Sequence, residues 1–215
     1  MTGVAAVGCG ADGNLALPYA TEVVSFEPGP GAGFGQDDLP EVVLGPPIGL
    51  GVNAGGLDVL SLGVGGTIVL GFDDAIVDGP GADFVVFENP FFVGGDSEQI
   101  FAELGRVSVS ADGESWQHFG CEPSGPPPWP GCAGWRPTRR FDPAVLPLDP
   151  DESGGDPFDL ADVDLALVRF VRIEDLSSEG EGTTAGFDLD AVGVVHLDRP
   201  DARTSQLAEL TLHHQ

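Results

Sequence analysis

Apolar runs in this chain are short, and each is bounded by glycine, proline or aspartate. They read as strands at 21–26, 41–44, 57–62, 66–72, 83–88, 106–110, 115–120, 166–174 and 190–197. No window sustains a 3.6-residue apolar period. Thirty-three Gly and nineteen Pro supply turns and leave little room for long helices. Many short strands with turn signals between them predict an all-β sandwich or barrel. At 215 residues and 41% hydrophobic, the chain can form one full-sized domain. We place it at 21–198, with 1–20 as an export remnant or linker and 199–215 as a tail. Residues 158–167 could hold a helical turn, and 205–212 a terminal helix.

The sharpest local signal is "VSVSADGESWQHF" (107–119). Val107 and Val109 alternate with Ser108 and Ser110. Asp112-Gly113 then suits a tight turn, and a second strand carries Trp116 and Phe119. This predicts a hairpin with Trp116 in the core. Two irregular stretches stand out. "EPGPGAGFGQDDLP" (27–40) lacks the Gly-Lys-Ser/Thr ending of a phosphate loop and reads as a flexible surface loop. Residues 121–157 form a long Pro-rich insertion of the kind that is usually functional or disordered.

The formal charge is −27, with eight arginines and no lysine. Such a chain repels nucleic acid and anionic membranes but suits cations. The many Gly, Ala, Pro, Val and Asp with no Lys fit the usage of high-GC genomes, which would account for part of the excess, with metal-ligand Asp as the reading of the remainder. No run approaches the roughly twenty apolar residues of a membrane span. Of three cysteines, Cys9 sits in "AVGC", which looks like a bacterial lipobox whose cysteine would be lipidated; with no basic residue before it, the other reading is an ordinary cysteine. That leaves Cys121 and Cys132 as a disulfide pair.

Three constellations could carry chemistry. Asp188 and Asp190 head the last strand, on one face by alternation, and such paired carboxylates invite a cation. The other reading is neutralisation by Arg169 or Arg172. Asp149, Asp151, Ser153 and Gly154 have the D-x-D-x-S-G spacing of a calcium loop, with Asp156 and Asp159 as further ligands; the other reading is a solvated acidic turn. Trp129, Trp135, Arg136, Arg139 and Arg140 form the one aromatic-basic cluster. It could present exposed rings and donors to a ligand, or cap the sandwich and meet nearby aspartates. Nucleophile-elbow, zincin and Cys-His metal motifs are absent from the sequence.

The segments "GTIVLGFDDAI", "VSVSADGESW", "LALVRFVRIEDL" and "DLDAVGVVHLD" occur in an order that resembles discoidin (factor 5/8 type C) domains and other galactose-binding-like jelly rolls. The likeness covers roughly 57–198 and excludes the 121–157 insertion. "VSFEPGPGAGFGQD" and "DGPGADFVVFEN" more closely resemble a group of bacterial secreted or lipid-anchored surface proteins. The resemblance implies a jelly-roll β-sandwich with a structural calcium where the closing strand meets earlier loops. Glu88 and Asn89 would then join Asp188 and Asp190.

The reading that results is a calcium-stabilised binding or adhesion module, secreted or at the bacterial cell surface. Its ligand would be a carbohydrate or another surface protein. One alternative is a calcium-dependent polysaccharide hydrolase, which requires two convergent carboxylates open to solvent. Another is a purely structural envelope protein.

Overall fold

The computed structural model describes residues 18–142, 148–178 and 182–198. Cys9, the segment 1–17 and the tail with its expected helix at 205–212 lie outside them. Twelve strands follow in chain order: β1 Glu22–Glu27, β2 Leu60–Ser61, β3 Thr67–Val77, β4 Phe84–Glu88, β5 Phe91–Phe92, β6 Ile100–Phe101, β7 Gly105–Ser110, β8 Gln117–His118, β9 Cys132–Ala133, β10 Asp156–Phe158, β11 Leu167–Asp175 and β12 Asp188–Val194. The larger sheet runs β1-β3-β11-β7-β8, with β9 also paired to β7. The smaller runs β10-β4-β12-β2, and β5-β6 form a separate ribbon. All pairings are antiparallel.

The molecule is an all-β sandwich. Ile68, Leu70, Val107, Val109, Val171 and Ile173 of the larger sheet pack in one cluster with Phe84, Val86, Leu189, Val192 and Val194 of the smaller. Each fully buried side chain of this size contributes about 1.5–3 kcal/mol. In β11, Val171 and Ile173 are buried while Phe170, Arg172 and Glu174 are only partly so, as period-two alternation requires. β4 is buried throughout, because Leu148 and Phe141 cover the other face of its sheet at Val85 and Phe87. That explains the unbroken "FVVF".

Several expectations change. Residues 41–44 do not form a strand: Glu41–Val43 is a 3₁₀ turn whose Val42 and Val43 enter the core. Three apolar residues after a glutamate carry no period to tell the two apart. The 27–40 segment is packed rather than loose. Ser61 N donates to Phe34 O, Gly29 N to Leu62 O, and a Cβ on Gly35 (φ 76°) would meet Val59 O at 2.1 Å. The domain starts before residue 21, since Tyr19 and Ala20 are buried and Ala20 N donates to Val192 O. Trp116 is not core. It lies half-buried with the Arg172 guanidinium 4.4 Å above its ring, a cation–π contact; Phe119 fills the core position instead.

Candidate metal centre

β4 ends at Glu88, and β12 runs antiparallel beside it, so the start of β12 lies against that end. Leu189 faces Glu88, and Asp188 faces Ser61 of β2. Glu103, just ahead of β7, reaches the same place. Carboxylate oxygens of Glu88, Glu103 and Asp188 all lie within 4.8 Å of one another. Ser61 Oγ donates to Asp188 Oδ1, Asn89 donates to the same carboxylate, and Asp188 N donates to Glu88 Oε1 at 3.3 Å.

The neighbouring Asp175 shows what a settled carboxylate looks like here. Its Oδ1 accepts from Phe187 N and Ser177 Oγ, and its Oδ2 from Gly65 N and Ser177 N. Glu88 is different: it is 1% exposed, and its Oε2 has no hydrogen-bond partner among the described residues. Such an orphan costs about 1–3 kcal/mol, more when charged. Burial pushes Glu88 well above the usual carboxylate range, and the charges of Asp188 and Glu103 push it further. Glu103 rises to about 7, through burial and then Asp188 and Asp175, against one donor from Gly186 N. Asp188 rises to about 6, again by burial, with Ser61 and Asn89 holding it down. Neither ion pair among the described residues involves this cluster. Three crowded carboxylates without a cationic neighbour require protons or a metal ion. The donors are all oxygen, which suits a hard cation such as calcium over zinc or copper.

Asp190 lies near the same strand ends but outside the group of three carboxylates that converge. Phe187 and Leu189 both enter the core, so alternation holds up to Asp190, and the register shift between Leu189 and Ala191 takes effect only beyond it. Asp190 Oδ1 accepts from Ile48 N, and burial raises its pKa to about 7. It lines, with Glu88, Asn89 and Thr138, a void of about 10 Å³, close to the room one water needs. Neither suggested arginine neutralises the aspartates: Arg169 Nη1 donates to Asp73 O, and Arg172 lies on Trp116.

The carboxylates of 149–159 do not converge as a calcium loop. Asp149 caps the one-turn helix Pro150–Ser153 by accepting from Asp151 N. Asp159 caps a 3₁₀ turn by accepting from Ala161 N. Asp156 is buried, and its Oδ2 accepts from Gly134, Trp135 and Arg136 N. Asp151 is exposed. Asp159 does approach Asp78 and Asp83. Asp83 is already satisfied, by Gly79 N, Leu160 N and His196 Nδ1.

Cys121 and Cys132 are disulfide-bonded. Trp129 and Trp135 form no exposed platform. Both are half-buried, and their indole N–H groups donate to Gly125 O and Cys132 O. Arg136 and Arg139 follow on the same segment.

No protein-family model matches the chain, and no curated protein matches it. No helix among the described residues is long and apolar enough to cross a membrane.

Glu103 is the member of the cluster that sequence reasoning missed. "FAELGR" has neither a repeat nor a ligand spacing, and only the fold brings it to Glu88.

Proposed function

We propose that the protein is a calcium-stabilised extracellular binding or adhesion module, built on a jelly-roll sandwich of the galactose-binding-like kind. The observation that carries this reading is Glu88: a fully buried carboxylate with an orphaned oxygen, held against Glu103 and Asp188 and without a cationic side chain to offset it. Glu88, Glu103 and Asp188 would hold the ion, with Asn89 and Ser61 orienting Asp188. The ion would supply positive charge and cross-link strand ends distant in sequence. The Cys121–Cys132 disulfide supports an oxidising compartment, hence secretion or surface display. Burial of Glu88 argues against the hydrolase alternative, because a catalytic carboxylate must reach solvent and substrate.

Thermal melts with chelator and with calcium test the reading. Calcium at a hundred times its dissociation constant adds about 2.7 kcal/mol. For a domain of this size that raises Tm by about 5–10 °C. Glu88→Gln and Glu103→Gln should each remove most of that rise, while Asp149→Asn and Asp151→Asn keep it. A Tm indifferent to both chelator and calcium overturns the proposal.

A further inference from the structure

A second site lies where the disulfide-closed segment meets the β5-β6 ribbon. The two enclose a cavity of about 280 Å³, with Val52, Phe92, Ile100 and Pro127 on its walls beside Trp135 and Pro137. Its shape is preset. Phe92 pairs with Ile100, and Phe92 N donates to Val52 O at 2.8 Å. Trp135 Nε1 donates to Cys132 O at 3.1 Å, so the disulfide half-cystine itself fixes the indole. Asp156 Oδ2 gathers the N–H groups of Trp135 and Arg136, and Arg139 N donates to Ser153 O.

Arg136 and Arg139 also line this cavity. Arg139 Nη1 donates to a backbone carbonyl, Asp151 O. The half-buried Arg136 makes no ion pair, and its guanidinium no hydrogen bond, among the described residues. Asp156 feels its charge, but carboxylate and guanidinium share no hydrogen bond: Asp156 Oδ2 is occupied by backbone donors and its buried Oδ1 is left without a partner among the described residues. Acidic residues outnumber arginines 35 to 8 in this chain, so a guanidinium with no hydrogen-bonded partner beside an apolar cavity is unusual. Guanidinium pairs with a carboxylate through two parallel hydrogen bonds.

We propose that this cavity binds a small carboxylate carried on an apolar body about one ring in size, with Arg136 taking the carboxylate and Arg139 adding charge. The volume lies just under the usual range for ligand sites, roughly 300–1,000 Å³, which sets the ligand's size. The walls set its character. A sugar ring would press most of its hydroxyls against Val52, Phe92, Ile100 and Pro127; among the described residues, Ser97 is the one neutral polar side chain on the walls with a free group to offer, since Trp135 has already spent its N–H. The inference deepens the binding-module reading and rests on it.

Titration of the oxidised, calcium-supplied protein, followed by calorimetry and tryptophan emission, tests this. The probes are phenylacetate, N-acetylphenylalanine, phenylacetamide and glucuronate. Saturable binding of either of the first two is expected, with phenylacetamide at least tenfold weaker. Preference for phenylacetate identifies a free acid, and preference for N-acetylphenylalanine identifies a peptide C-terminus. Arg136→Gln should cost at least tenfold in affinity and leave the calcium-dependent rise in Tm unchanged. Ile100→Ser should weaken binding without touching charge. Failure of both acids to bind up to about 10 mM, equal binding of the amide, full affinity in Arg136→Gln, or tighter binding of glucuronate each overturns the proposal. Acid binding in a protein whose melt ignores calcium would remove the metal reading alone.

Discussion

Glu88 and Asp156 are both sealed from water, and each leaves one oxygen without a partner. They differ in company. Asp156 is braced by three backbone N–H groups, whereas Glu88 faces other acids. Even so, burial outweighs the braces, and the Asp156 pKa rises to about 7. The folded protein therefore holds this proton more tightly than the unfolded chain does. The contribution of this group to stability is fully present below pH 4 and is lost as pH rises towards about 7, because only the unfolded chain ionises freely in that window. Asp156→Asn keeps an oxygen for the N–H groups and abolishes the titration. Its stability relative to the parent should shift in the variant's favour by at least about 1.4 kcal/mol, the worth of one pKa unit, between pH 4 and pH 8. Denaturant melts across that range measure it; a constant offset would show that Asp156 is ionised throughout.

Among the elements, the hairpin at 105–118 was legible because each of its signals is local. Asp112 accepts from Glu114 N and Ser115 N, and Gly113 takes the positive φ the turn requires. β10, β9 and the β5-β6 ribbon were not legible, since two- or three-residue strands carry no measurable alternation. The metal centre divides the same way. Glu88 and Asp188 end strands that could be read from their apolar runs. Glu103 sits in a connector whose position depends on how β6 leads into β7, and the register shift between Leu189 and Ala191 is set by pairing with β4 rather than by β12's own residues. The 27–40 segment misled for a related reason. Its glycines mark close packing: at Gly35 the backbone of Val59 leaves no room for a methyl group. Gly35→Ala should destabilise by about 2 kcal/mol or more, combining that clash with a left-handed backbone, whereas Gly81→Ala, with open space around it, should pay only for its positive φ. Equal losses at the two sites would mean that the loop yields.

For the molecule as a whole, charge and topology act together. A formal charge of −27 sets the chain against its own compaction, and the sandwich draws some of that charge inward. The contacts that hold it are long in sequence: β3 pairs with β11, β4 with β12, and the hydrogen bond from Asp188 N to Glu88 Oε1 spans 100 positions. A chain ended before β11 should show no cooperative unfolding and no calcium response, by calorimetry and circular dichroism; a sharp melt would mean that β1, β3 and β4 find other partners. The central strands of both sheets thus wait, during synthesis, for neighbours that lie far downstream. A polypeptide ordered this way keeps apolar strand faces uncovered until those partners emerge, so its fold is decided in whatever compartment β11 and β12 arrive.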